Sequence, residues 1–426
     1  MDDFRYVDGR LFCEGAALSD IAAHVGTPCY VYSHNTLTRH FKVFDDAFDD
    51  LPHMVCFAMK ANSNLAVVSA FAGLGGGADV VSGGELYRAL RAGVPPGKIV
   101  YAGVGKTRSE IEYALSSGIL MFNIESGEEL GEIDEAAGRM GVKAPIAIRV
   151  NPDVDAMTHP YIATGLEKNK FGISIGRAVE EYRNASRLPN VEVVGIHQHI
   201  GSQLTEVSPF VDSMKKTAAL VRGLKKEGLA IRYMDVGGGL GIKYQDEAPP
   251  HPADLASALR PVFQGLDCTL IFEPGRVLAG NAGCLLTRVL YRKSTGAKNF
   301  VIVDAGMNDL IRPTLYQAYH EVRPVVKTAG PEFTADLVGP ICETGDFLAR
   351  DRRMTVPGRG DLLAVMSAGA YGFTMSSNYN SRPRAAEVMA HGEQYFVVRR
   401  REAFEDLVRG EEVPDFLSRR EKAVSG

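Results

Sequence analysis

The sequence predicts an α/β domain followed by a mostly β one. We expect an N-terminal (β/α)8 TIM-like barrel over residues 36–281 and a C-terminal β domain over 282–426, joined by the N-terminal segment 1–35. Two observations carry this expectation. From residue 53 onward, short apolar runs alternate with longer segments of helical spacing, and eight such runs pass before the texture changes. Strands separated by helices read as parallel βαβ units, and eight units close a barrel. After Arg276 the apolar runs follow one another without long helices between them.

The first element, "FRYVDGRLFCEG" (4–15), reads as a hairpin turning at Asp8-Gly9 and should join the second domain. The barrel strands are "HMVCFAMK" (53–60), "ADVVS" (78–82), "KIVYAG" (98–103), "LMFNIE" (120–125), "PIAIRVN" (145–151), "VEVVGIHQH" (191–199), "RYMDVGGG" (232–239) and "CTLIFEPG" (268–275). Helical segments between them include "GGELYRALRAG" (83–93), "TRSEIEYALSSG" (107–118) and "SPFVDSMKKTAALVRGLKKEG" (208–228). The last opens on Ser-Pro and closes on Lys-Lys-Glu-Gly, which are start and stop signals. In the second domain "CLLTRVLYRKS", "KNFVIVDAG", "DLLAVMSAG" and "EQYFVVRRR" read as strands.

Composition narrows the class. The chain has 426 residues, 45% apolar and 23% charged, with a net charge of -5, as in soluble globular proteins. No basic run interleaved with aromatics suggests nucleic-acid binding. No apolar run approaches a membrane span. The acidic start "MDDFRYVDGRLF" has no signal-peptide core. Six scattered cysteines without CxxC spacing fit neither a metal site nor a disulfide framework, so we expect a reducing, cytoplasmic setting.

In a barrel the active groups sit where strands end. The strand ends here carry Lys60, then Asp79 and Ser82, Arg149 and Asn151, His197, His199 and Ser202, Gly237 to Gly239, and Glu273, Gly275 and Arg276. A lysine at a strand end can simply snorkel to water. Alternatively it is a Schiff-base amine, whose pKa falls when it is desolvated. Glycines after strand seven let backbone N–H groups approach an anion, with Ser202 adding a hydroxyl. Glu273 suits a protonated ring nitrogen, and Arg276 suits a carboxylate. An amine, an anion cradle and an acid are what pyridoxal 5'-phosphate requires.

The motifs "FAMKAN", "ADVVSGGEL", "HPYIATGLEKNKFGI", "HQHIGSQ", "DVGGGLGIKY", "FEPGR", "CETGD" and "GAYGFTMSSNYNSRPRAAEV" stand in one order along the whole chain. By them the sequence resembles the alanine-racemase-like, fold-type III pyridoxal phosphate enzymes, and within these the diaminopimelate decarboxylases. The resemblance implies a barrel plus β domain in a homodimer with active sites shared across the interface. It implies that Lys60 carries the cofactor, that His199 stacks on its ring, and that Gly239, Glu273, Gly275, Arg276 and Tyr371 help bind it. It assigns substrate to Arg276, Arg312, Tyr316, Glu343 and Tyr371. Cys342 and Glu343 would reach the neighbouring subunit's site, with Cys342 as the proton donor. Asp79, Ser82 and Arg149 would lie behind these groups, and His197 would be core or supporting.

Charge then points to the substrate. Ornithine and arginine carry a distal cation and need an acid beside it. Arg276, Arg312 and Tyr316 suit a distal carboxylate, and Glu343 suits the ammonium next to it. The expected reaction is decarboxylation of meso-2,6-diaminopimelate to L-lysine. The alternative is a related basic amino acid or carboxynorspermidine decarboxylase.

Overall fold

The computed structural model describes residues 2–154 and 170–418. Its first large sheet is the expected barrel: β1 (His53–Ala58), β2 (Gly77–Val80), β3 (Ile99–Tyr101), β4 (Met121–Ile124), β5 (Ala144–Asn151), β6 (Val191–His197), β7 (Tyr233–Gly237) and β8 (Thr269–Phe272). Every neighbouring pair is parallel, and β8 pairs with β1 to close the ring (Leu270↔His53). Several strands stop short of their apolar runs. Lys60 is therefore two residues beyond β1, in the turn that follows it.

The helices begin where local chemistry says they should. Thr107 and Glu110 form a capping box on Arg108–Ser117, and left-handed Gly118 ends that helix. Ser82 caps Gly83–Arg91 by accepting from the Glu85 N–H. Pro209 opens the long helix Ser208–Lys226.

The second sheet is ordered Phe347–Thr355, Glu332–Val338, Asn299–Val303, Gly283–Ser294, Cys29–Ser33, Ala386–His391, Gln394–Arg399. The strand before the barrel thus lies in the middle of the sheet after it, between Gly283–Leu286 and Ala386–Ala390. The hairpin Phe4–Val7/Arg10–Cys13 turns at Asp8 and Gly9 with positive φ at both (47° and 76°). Its Phe4, Leu11 and Cys13 pack on Cys284, Leu286 and Val388 of that sheet. No described helix is long and apolar enough to cross a membrane.

Candidate active site

The pleat of the barrel explains why polar groups gather at one mouth. Cys56, Met121, Ala147 and Ile271 form part of a buried layer with Val100 and Val194. Successive side chains of a strand alternate faces, so the residue two positions on points the same way. Those residues are Ala58, Asn123, Arg149 and Glu273. Register adds the rest: Asp79 stands beside Ala58, and His197 stands between Arg149 and Asp235.

Lys60 Nζ donates to Asp79 Oδ2 at 2.9 Å. Its side chain stays 35% exposed while Asp79 has no exposed surface, so the amine is reachable and its partner is not. Burial works to lower the Lys60 pKa, but Asp79, Glu273 and Tyr371 outweigh it and raise the pKa above the usual lysine range. The expected fall is therefore corrected: desolvation does act on the amine, but Asp79, expected behind the site, sits directly on it and reverses the direction.

The other acids engage protein donors as well. Asn123 donates to Asp235 Oδ2 at 2.9 Å and to Glu273 Oε1 at 3.4 Å. The Gly237 N–H donates to Asp235 Oδ1, and His197 Nε2 lies 3.5 Å from Glu273 Oε2. His197, Asp235 and Glu273 bring ligand-type atoms within 4.8 Å of one another, but the oxygens of both carboxylates already face protein groups. Burial would raise the Glu273 pKa; His197, Lys60 and His199 overcome it and keep the carboxylate ionised. Burial and the nearby Glu273 charge raise Asp235 well above the carboxylate range.

His199 is held as a neutral ring. The Gly238 N–H donates to its Nδ1 at 3.1 Å, so that nitrogen must be the unprotonated one. Burial, Lys60 and Arg149 keep its pKa well below the usual histidine value. The three glycines are needed for packing. A Cβ at Gly237, Gly238 or Gly239 would lie 2.4, 2.2 or 2.5 Å from the carbonyl oxygens of Gln198, Glu273 and Gly201. Gly275 packs less tightly on the lysine loop, where its Cβ would meet those of Ala61 and Ala58 at 3.0 and 3.1 Å. The Gly239 N–H has no partner among the described residues.

Beside this mouth lies a pair of buried cations. Arg276 is 6% and Arg312 5% exposed. Arg276 Nη1 donates to the Tyr244 hydroxyl at 2.7 Å and Nη2 to Ser202 Oγ at 3.0 Å. Arg312 Nη1 donates to His320 Nε2 at 2.9 Å. Among the described residues neither guanidinium has a carboxylate partner, and the Nε atoms of both are without a hydrogen bond. The phenols of Tyr244, Tyr371 and Tyr316 are the acidic groups that act on both.

Tyr371 reaches the barrel from the second sheet's loops. Its backbone N–H donates to Ala61 O at 2.7 Å, and the Arg276 guanidinium lies 4.9 Å from its ring centre. Tyr316 ends the short helix Arg312–Tyr316. Cys342 and Glu343 are not drawn into this group. Both are exposed; the Cys342 N–H donates to Asn380 Oδ1, and the Glu343 carboxylate meets the Tyr379 hydroxyl. Most of the motif "HPYIATGLEKNKFGI" falls outside the described residues. Sequence reasoning missed Asn123, Tyr244 and His320, and gave His197 no task. Tyr244 closes the motif "DVGGGLGIKY" and His320 lies eight residues after Arg312 in "NDLIRPTLYQAYH" (308–320), so their positions were the available signal. A separate cavity of about 940 Å³ opens where β7 and β8 begin, between Lys225, Arg232, Phe263 and Thr269, away from this chemistry.

Comparison with known proteins fits this arrangement. Residues 34–280 match the family described as pyridoxal-dependent decarboxylase, pyridoxal binding domain. The diaminopimelate decarboxylase of Pseudomonas aeruginosa is 55% identical over 411 residues, covering 96% of this chain and 99% of the relative. The chain belongs to the diaminopimelate decarboxylase family. The corresponding enzyme of Vibrio cholerae is 54% identical, covering 96% of this chain and 98% of its own. The crystal structure of the M. jannaschii diaminopimelate decarboxylase in co-complex with L-lysine superposes with a TM-score of 0.93 at 40% identity, covering 98% of this chain and 99% of that one. The chemistry at the mouth suits the cofactor of this family. It combines a reachable amine, an ionised carboxylate, a neutral imidazole, and unengaged donors on Gly239 and Arg276.

Proposed function

We propose that the chain decarboxylates meso-2,6-diaminopimelate to L-lysine and CO2, the last step of bacterial lysine biosynthesis, as a cytoplasmic homodimer. The observation that carries this reading is the buried pair Arg276 and Arg312, which lacks a carboxylate partner among the described residues. Buried cations without acids demand an anion, and a guanidinium offers one a bidentate fork. A substrate with a second carboxylate meets that demand. Ornithine and arginine would bring another cation instead.

Pyridoxal phosphate, when bound, supplies the electron sink that takes up the pair released as CO2 departs. The chain's own residues do the rest. Lys60 would hold the cofactor through its amine, with Asp79 as its partner in the protein alone. Glu273, kept ionised by His197, would keep the cofactor's ring nitrogen protonated. His199, Gly239, Gly275, Ser202, Arg276 and Tyr371 would help hold the cofactor, while Arg276, Arg312, Tyr316 and Tyr371 would orient the substrate. The partner subunit's Cys342 returns a proton to the substrate carbon, and the partner subunit's Glu343 meets the distal ammonium. The exposure of both residues on one chain supports a role across an interface. We divide the chain functionally into a cofactor barrel, 36–281, and a C-terminal domain, 282–426, joined by 1–35.

Purified protein given pyridoxal phosphate and meso-diaminopimelate should release CO2 and L-lysine. Equal or faster turnover of ornithine or arginine would overturn the substrate assignment.

A further inference from the structure

We infer that Tyr244 and His320 are positioning residues that set specificity for dianionic ligands, by holding the two buried arginines through neutral acceptors. The inference rests on the reading of Arg276 and Arg312 as the substrate end of the site.

The geometry is that of a clasp. Tyr244 is itself buried, 9% exposed. Its hydroxyl accepts from Arg276, and its ring centre lies 4.7 Å from the Arg312 guanidinium and 5.8 Å from that of Arg276. The ring therefore touches both cations. Its other neighbour is His320, edge-on at 5.4 Å between ring centres. His320 Nδ1 lies 2.8 Å from Met366 O, which can only accept. The proton is therefore on Nδ1, and Nε2 presents its lone pair to Arg312. Burial and Arg312 keep this ring neutral, lowering its pKa to about 3.

Proteins usually orient a buried arginine with a carboxylate, which also consumes its charge. Here an aromatic face, a phenol and a neutral imidazole fix direction without cancelling charge. Among the described residues nothing cancels these two positive charges, which are left to whatever enters. A ligand with a carboxylate at its distal end meets the pair while its other carboxylate lies at the Lys60 end, and a ligand with a single carboxylate leaves one end or the other unmatched.

The test uses holoenzyme and pimelate, a seven-carbon dicarboxylate without amines, followed by calorimetry alongside kcat and KM for meso-diaminopimelate. His320→Gln keeps a neutral acceptor and should bind pimelate within about threefold of the unsubstituted protein, with kcat retained. His320→Glu puts an acid on Arg312 and should weaken pimelate at least about thirtyfold. Tyr244→Phe loses the acceptor but keeps the ring; KM should rise about five- to tenfold with kcat little changed. Equal losses in His320→Gln and His320→Glu would overturn the inference. If His320→Glu does not fold by circular dichroism, Tyr244→Phe decides, and an unchanged KM overturns it. Failure of the unsubstituted holoenzyme to bind pimelate or turn over meso-diaminopimelate would instead remove the reading beneath it.

Discussion

Around Lys60 the ionisable groups face one another within the protein: Lys60 and Asp79 at 2.9 Å, Glu273 and His197 at 3.5 Å, Arg149 and Glu125 at 2.7 Å. Around Arg276 and Arg312 the described partners are Tyr244 and Ser202 for the first and His320 for the second, none of them a carboxylate. The two regions share one barrel mouth and handle charge in opposite ways. The first is complete before any ligand arrives, and the second is complete only with one. The difference suggests which groups stabilise the empty protein and which are held ready at some cost in stability.

The largest effect should come from the paired side. Lys60→Ala should reduce decarboxylation by at least about a thousandfold, because it removes the proposed anchor of the cofactor. It should also abolish any visible absorbance band that borohydride can bleach in the loaded protein. Retention of that band would place the anchor elsewhere.

The sharpest form of the comparison is a difference in sign. Asp79→Leu leaves the partly exposed Lys60 ammonium without its acid and, with water offsetting part of the loss, should destabilise the cofactor-free protein by about 2–3 kcal/mol in urea unfolding. Arg312→Leu removes a buried cation that lacks an acid partner among the described residues. It should leave the cofactor-free protein as stable as before or more so, while raising KM for meso-diaminopimelate. Equal destabilisation by both would erase the distinction drawn here.

A smaller effect follows from His320, whose pKa falls from 6.5 to about 3 on folding. A group with a depressed folded pKa contributes stability above its unfolded pKa, and that contribution is lost as pH falls toward the folded value. Thermal unfolding should therefore show a decline between about pH 6.5 and pH 3 worth a few kcal/mol, and His320→Gln should flatten part of it. The smallest effect belongs to the far end of the barrel. Arg232→Ala breaks an exposed pair with Glu192 and should cost less than about 1 kcal/mol.

The barrel was legible because its signals are local. Each strand is a short apolar run, and each helix carries its own cap, such as Thr107 with Glu110. Lys60, Glu273 and Arg276 were legible because a barrel turns strand order into a ring of strand ends. What the sequence hid was pairing. Asp79 reaches Lys60 through the register of β1 against β2, and no sequence spacing announces it. Tyr244 and His320 belong to different domains and meet only when the second sheet docks. The sign of the Lys60 shift was unreadable for the same reason, since burial and a neighbouring acid pull it in opposite directions. The glycines were assigned to the anion alone because the backbone that crowds them comes from β6 and β8.

The strand Cys29–Ser33 has a consequence for how the chain is made. It leaves the ribosome before any of the barrel, yet its parallel neighbour, Ala386–Ala390, is among the last segments to emerge. Strand pairs so distant in sequence close late and slowly. The barrel has all its own strands by Phe272 and can assemble around a strand still waiting for its place. Tyr371 and Gly369, which fasten the lysine loop through Ala61 and Asn62, arrive in that same late stretch. Competence to bind cofactor should therefore appear abruptly at the end of synthesis, and a chain cut short before residue 369 should hold Lys60 loosely however well its barrel has formed.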